Sequence, residues 1–355
     1  MASPITTTTQ IAGPVNVVFQ QTLLRNAKAR CPYFVGSVPA EIREHTGSFT
    51  AKWRRIENLT PVTAALSQLT GNVAFPTRDA VQPSVTDVTK AVSKYGNYIL
   101  LNEEVDLVNF TGQADKLVEV LGINAGQSIN RVQRDEMEDN ATQIYSNGVA
   151  NRAAVATAIK LNDIKNAVNQ IKRNDGTPFM AQTEGSRNIG TAPIRESFWG
   201  ICHPDVEEDI RTLSGFNAVE TYASQTSTAP GEFGAVAGVR WLSTSEGSID
   251  DNSGVAVGST GCRSTGGSTI DTYESVIFGK DAVGSLGFGA EHIKEIYTAG
   301  DKLPAVMAIS KPRGSSGVAD PLNELSTMGW KSWMAAKILN GNWIRNIVSG
   351  ATDLG

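Results

Sequence analysis

From Gly47 the chain reads Gly-Ser-Phe-Thr-Ala-Lys-Trp-Arg-Arg-Ile. The alternation puts Phe49, Ala51 and Trp53 on one side of a strand, with Thr50, Lys52 and Arg54 on the other. A second β-rich stretch from Val85 to Leu101 returns after a Pro- and Thr-containing excursion, so the two predict a long two-armed loop able to reach a neighbouring molecule. Beyond Thr111 and Gly112 the sequence is helix-compatible through Tyr145, because Val118, Leu121, Ala125, Ile129 and Val132 recur at spacings of three or four. Gly122 and Gly126 weaken that helix by about 1 kcal/mol each relative to Ala, so another element is expected to approach closely there.

A second helix is predicted over Leu161 to Arg173, with Leu161, Ile164, Val168 and Ile171 on one face and Gly176 as its stop. Phe198 to Cys202 reads as a short strand, followed by the turn His203-Pro204-Asp205 and an acidic helix from Val206 to Leu213. Residues 224 to 270, rich in Gly, Ser and Thr, read as short strands and exposed loops that would carry any surface decoration. His292 to Tyr297 and Ala305 to Lys311 alternate again. Trp330 to Leu339 is expected to meet Asn342 to Val348 across Asn340-Gly341, a pair suited to a type I′ hairpin. The first 45 residues, with an amphipathic piece around Val17 to Ala29 and prolines at Pro32 and Pro39, form an irregular arm with one short helix. No repeat of fixed period argues for a solenoid or propeller.

The 355 residues suffice for two or three domains, and the 40% apolar, 19% charged composition is that of a compact chain rather than a disordered one. Net charge is −5, yet residues 1 to 60 hold seven Lys or Arg against three Glu, a net of +4 that leaves −9 for the remainder. Strong overall affinity for nucleic acid is therefore not indicated. No run approaches the roughly 20 apolar residues of a membrane span, and no export signal precedes the arm, so a soluble protein made in the cytosol is expected. Cys31, Cys202 and Cys262 are widely separated and read as free thiols.

His203, Asp205, Glu207, Glu208 and Asp209 are the densest set of possible metal ligands or acid-base groups. With three histidines in the chain and no paired His spacing, the acidic first turn of a Pro-initiated helix explains them better. Asp135, Glu136, Glu138 and Asp139 lie beside Arg131 and Arg134; a solvated helix face is the ordinary reading, and an intersubunit ion-pair patch the functional one. Gly284, Gly287 and Gly289 match no phosphate loop and are assigned to turns. Lys52, Trp53, Arg54 and Arg55 suit either a nucleic-acid backbone or carboxylates of another subunit, and the interface is preferred because Arg and Trp concentrate at interface centres. The candidate intersubunit contacts are Phe49, Lys52, Trp53, Arg54, Arg55, Arg131, Arg134, Asp135, Glu136, Glu138 and Asp139, with no catalytic, metal or cofactor residue assigned.

Several stretches, taken in order, resemble one family: Thr46-Gly47 through Leu59, Lys94-Tyr95-Gly96-Asn97-Tyr98, Leu121-Gly122 through Ser128, Cys202-His203-Pro204-Asp205, Phe278-Gly279-Lys280-Asp281, and Asp320-Pro321-Leu322 with Gly329-Trp330-Lys331. The chain resembles tailed-bacteriophage major capsid proteins of the Hong Kong 97 (HK-97) type fold, and more narrowly the podophage N4-type branch. The resemblance implies an α+β fold: N-terminal arm 1–45, extended β-loop 46–101, peripheral domain 102–160 with a spine helix over 113–147, axial domain 161–289 and peripheral return 290–355. It implies a non-enzymatic homo-oligomer of pentamers and hexamers, assembled in the bacterial host cytoplasm into an icosahedral virion shell around double-stranded DNA. It also implies a separate scaffolding protein, a portal protein, a decoration protein, non-specific DNA contact, no membrane and no cofactor. A Lys to Asn crosslink known in some relatives has no identifiable pair here. A nanocompartment shell of the same fold, a metal-dependent hydrolase using Asp205, Glu207 and Glu208, and a phage tail or decoration protein are the competing readings.

Overall fold

A computed structural model describes residues 31–40, 50–61, 63, 83–104, 113–179, 196–222, 229, 231–258, 260–286, 306–311, 313–314 and 321–355, except the side chains of 113–115 and 307–308. Expectations for Val17 to Ala29, Phe49, Gly287, Gly289 and His292 to Tyr297 fall outside these residues. In chain order the strands are β1 (Val38–Pro39), β2 (Thr50–Ile56), β3 (Val85–Ala91), β4 (Ser93–Asn102), β5 (Thr142–Tyr145), β6 (Phe198–Cys202), β7 (Asn217–Ala218) and β8 (Glu232–Val236). They continue with β9 (Val239–Ser243), β10 (Ile249–Asp250), β11 (Thr272–Phe278), β12 (Val283–Leu286), β13 (Val306–Lys311), β14 (Leu325–Ile338) and β15 (Ile344–Ser349). The helices are α1 (Gln113–Asn140), α2 (Leu161–Arg173) and α3 (Pro204–Arg211).

The strands form three sheets. β2 and β3 make an antiparallel pair of their own, in register from Thr50 opposite Ala91 to Ile56 opposite Val85. The predicted alternation holds there: Ala51 and Trp53 are buried, Lys52 and Arg54 exposed. A five-stranded sheet runs β1-β12-β14-β13, with β4 also paired to β14. An eight-stranded sheet runs β5-β15-β11-β6-β9-β8-β7, with β10 on β11.

α1 spans both larger sheets because its apolar stripe drifts around a long helix. Val118, Leu121, Ala125 and Ile129 pack on Val306, Trp330 and Met334 of the five-stranded sheet, while Met137 packs with Tyr33 on Ile201, Val276 and Phe278 of the eight-stranded one. The opposite face of the eight-stranded sheet is closed by α2 through Ile164, Val168 and Ile171 and by α3 through Val206 and Ile210. α2 begins where the Lys160 backbone N–H donates to the Asp163 carboxylate at 3.1 Å, and ends where Gly176 N–H returns to the Ile171 carbonyl at 3.0 Å. Pro204 opens α3, and Asp205 N–H donates to His203 Nδ1 at 3.2 Å. Gly126, buried in α1, lies where the Cys31 thiol reaches its carbonyl at 3.4 Å, the close approach expected of that glycine.

Four expectations are corrected. α1 stops at Asn140 rather than continuing to Tyr145, because Thr142 to Tyr145 leave the helix to pair in parallel with β15. The Asn340-Gly341 hairpin does not form: β14 pairs with β4, β12 and β13, whereas β15 pairs with β11 and β5 in the other sheet. The link is a 3-10 turn, Gly341–Trp343, capped by Asn340 Oδ1 accepting from Asn342 N–H at 3.1 Å. Gly284 is not in a turn but inside β12, where an added Cβ would sit 2.5 Å from Trp53. Finally, Glu136 and Glu138 do not lie on a solvated helix face, being 9% and 2% exposed.

Candidate assembly surfaces

The root of the β2–β3 arm is set by Trp53. Its ring fills the space that Gly284 leaves, its indole N–H donates to the Val38 carbonyl at 3.2 Å, and it clusters with Ala51, Val92, Leu286 and Ala335. On the exposed side, Asp87 of β3 takes Lys52 at 2.6 Å and Arg54 at 3.0 Å. Both cations hold the Asp87 carboxyl below the usual aspartate range. Arg55 donates to Glu57 at 2.5 Å and to the Leu339 carbonyl at 2.9 Å. The cations singled out in sequence thus fasten the arm internally. Apolar groups remain at its far end: Ile56 is 68%, Leu59 55% and Val85 49% exposed.

The helix cluster meets this arm at its root. Glu136 of α1 accepts from Lys90 of β3 at 3.2 Å and from Lys337 of β14 at 2.9 Å. Lys90 and Glu136, together with Tyr95, Val132, Asp135, Asp139 and Met334, line a cavity of about 280 Å³. Two residues on, the Tyr33 hydroxyl donates to Glu138 at 2.7 Å and Arg134 stands 3.5 Å away. Burial, reinforced by Glu274 and Asp135, pushes the Glu138 carboxyl up to about 8 against the Tyr33 hydrogen bond and Arg134, which pull it down. Asp139 is also pushed up, chiefly by burial. Asp135 is 54% exposed and pairs with its neighbour Arg134 at 2.7 Å.

Sequence reasoning missed the partner of the basic half of this helix. Glu246, 7% exposed in the loop after β9, accepts from Gln127 at 2.9 Å and Arg131 at 2.6 Å, while its carbonyl accepts from Arg134 at 2.7 Å. The buried pair Arg240–Glu232, at 2.6 Å and flanked by Trp199 and Tyr222, was also missed, as was the pairing of Arg152 with Asp250 and Glu274. No motif marks these residues, since each meets a partner carried by a different helix, loop, turn or strand of the folded chain.

The acidic set near His203 is dispersed among separate partners. Asp205 accepts from the Tyr273 hydroxyl at 2.8 Å and from Arg263 at 3.0 Å, Glu207 from Arg211 at 2.7 Å, and Asp209 from Thr352 N–H at 2.9 Å. Among the described residues, no group of three or more His, Cys, Asp and Glu converges as a metal site. No described helix is long and apolar enough to cross a membrane.

The sequence matches the phage capsid protein family over residues 86–343. No curated protein matches it. Among solved structures, the capsid of Ralstonia phage GP4 superposes with a TM-score of 0.62 at 10% identity, covering 92% of this chain and 93% of that one. The head structure of Helicobacter pylori bacteriophage KHP40 gives 0.53 at 12% identity, with 91% of each chain covered. The capsid of cyanophage P-SCSP1u gives 0.50 at 13% identity, covering 88% of this chain and 86% of that one. With the family match spanning most of the chain and 88–92% of it superposing on phage capsid chains, this protein belongs to the phage capsid protein family and has its Hong Kong 97 (HK-97) type fold.

Proposed function

We infer that this chain is the major capsid protein of a tailed bacteriophage, the structural subunit repeated to build the head shell. The observation that carries this reading is an arm anchored firmly at its root and left apolar at its far end, in a chain of the capsid family. Exposed apolar groups at the end of a two-stranded sheet gain about 25 cal/mol per Å² once covered, and a second copy supplies the cover. Repeated head to tail, such contacts close into pentamers and hexamers, and overlapping arms tie those rings together. In this reading 1–45 is the N-terminal arm, 46–101 the extended loop, 102–160 and 290–355 the peripheral domain, and 161–289 the axial domain. Scaffolding and portal proteins direct closure in the host cytoplasm, and packaged double-stranded DNA is enclosed with only non-specific contact. Lys52, Arg54 and Arg55 serve assembly by keeping the arm in shape, and Arg131, Arg134, Asp135, Glu136, Glu138 and Asp139 by holding α1 against the arm root and body.

Electron microscopy of the purified chain, expressed with and without its scaffolding protein, tests this directly. Closed icosahedral shells are the expected product; monodisperse monomers under both conditions would overturn the reading.

A further inference from the structure

The face of the five-stranded sheet turned away from α1 has a composition of its own. Strand alternation and register place Lys94, Tyr98 and Leu100 of β4, Thr327, Gly329, Lys331 and Trp333 of β14, and Ile309 and Lys311 of β13 on that face. Their neighbours Trp330, Met328 and Ile99 point the other way, into the core under α1. Tyr98 is 70%, Leu100 53% and Ile309 36% exposed. Tyr98, Gly329 and Ile309 share one row, and a Cβ on Gly329 would fall 2.8 Å from that of Tyr98, so the glycine leaves the tyrosine nothing to stand against.

Among the described residues of these three strands, the charge around this apolar centre has one sign. Lys94 lies over the Trp333 ring at 5.6 Å, and Lys94, Lys311 and Lys331 have no ion pair among the described residues. Among the described residues of these strands and their ends, carboxylates appear only beyond the last row, at Glu103 and Glu324, where Arg313 stands 3.8 Å from Glu103.

We propose that this face docks an acidic protein partner other than a second copy of this chain. An apolar centre ringed by charge is the anatomy of a protein interface, whereas a phosphate-binding surface gains nothing from an exposed leucine and isoleucine. The arm of a second copy is also the wrong occupant: the one carboxylate on its described β2 and β3 strands, Asp87, is already held by Lys52 and Arg54, so those strands offer these lysines none. The partner that fits carries carboxylates flanking an apolar residue and adds to the shell from outside this chain. The proposal rests on the shell reading only in that the partner is sought on phage particles.

The test is chemical labelling of lysines read by mass spectrometry, comparing phage particles, DNA-emptied particles and the chain expressed alone, in whatever assembled state it takes. Loss of labelling at Lys94, Lys311 and Lys331 in both particle forms, with full labelling in the chain alone, is expected. Protection already present in shells of the chain alone would assign the face to a second copy. Protection lost on emptying the DNA would assign it to nucleic acid, and full labelling throughout would leave it without a partner; each overturns the proposal. In parallel, particles carrying Lys94→Glu with Lys331→Glu, or Leu100→Ser, should keep the shell and lose one accessory protein; retention of every accessory protein would count against it. Loss of the shell in these variants alone would assign the face to contacts between copies and overturn the proposal, whereas failure of the parent chain to form shells would count against the function proposed above.

Discussion

Gly284 and Glu138 show how much single positions decide. Gly284→Ala puts a Cβ 2.5 Å from the Trp53 ring and 3.0 Å from Leu339, and the Trp53 ring, 6% exposed, must shift to admit it. Overpacking of this kind costs about 1 to 3 kcal/mol. We expect a lower Tm for Gly284→Ala and a smaller drop when the same change is made in a Trp53→Ala background; equal drops in both would show that the two residues do not share the space. Glu138 ties stability to pH in the direction opposite to a surface carboxylate. Its folded value, about 8, lies above the ordinary 4.5, so between those values the folded chain holds a proton that the unfolded chain has lost. The stability this residue contributes is therefore full in acid and falls as pH rises through the window. Glu138→Gln mimics the protonated side chain and should gain Tm relative to the parent as pH goes from 5 to 8; a difference independent of pH would rule this out.

At the scale of elements, α1 is held by short polar clamps as much as by its apolar stripe. Glu246→Ala removes the acceptor for Gln127 and Arg131 and should cost about 1 to 3 kcal/mol in chemical denaturation, given the strength of hydrogen bonds to charged groups. Asp135→Asn, on a side chain 54% exposed, should change stability by less than about 0.5 kcal/mol. Similar losses for the two would mean that the loop after β9 does not secure the helix. What was legible here followed local rules. The two-faced strand at Ala51 and Trp53, the α2 stripe and the Pro204 start of α3 are each set by neighbours within a turn or two. What was not legible depended on distant pairing. Asn340-Gly341 invites a hairpin, but ten residues of β14 find β4, from Met334 opposite Ser93 to Leu325 opposite Asn102, and local pattern cannot weigh that ladder against a two-residue turn. Thr142 to Tyr145 continued the helix on paper, because the partner that makes them a strand lies some 200 residues away at Arg345 to Val348. The acidic run looked solvated for the same reason: Lys337 and Tyr33, which take up Glu136 and Glu138, arrive from opposite ends of the chain.

At the scale of the whole molecule, separate surfaces carry folding and assembly. Ile56 and Val85 face each other at the exposed end of the arm and contribute little to the isolated subunit. Ile56→Asp with Val85→Asp should leave its Tm nearly unchanged and sharply lower the yield of closed shells; normal shells from this variant would remove the arm end from the interface. Charge reversal at Arg54 and Arg55 should also impair assembly, but by loosening the arm from Asp87 and Leu339, so Arg54→Asp combined with Asp87→Arg should restore part of the shell yield. The sheet order has a further effect. β15 lies between the edge strand β5 and β11, so the last of the described strands to be synthesised joins β5 to a sheet whose other members are made earlier. Until it arrives, two strand edges stand open and the body cannot close. A chain stopped before β15 leaves β5 unpaired and one side of β11 bare, and is expected to be excluded from shells built by complete copies.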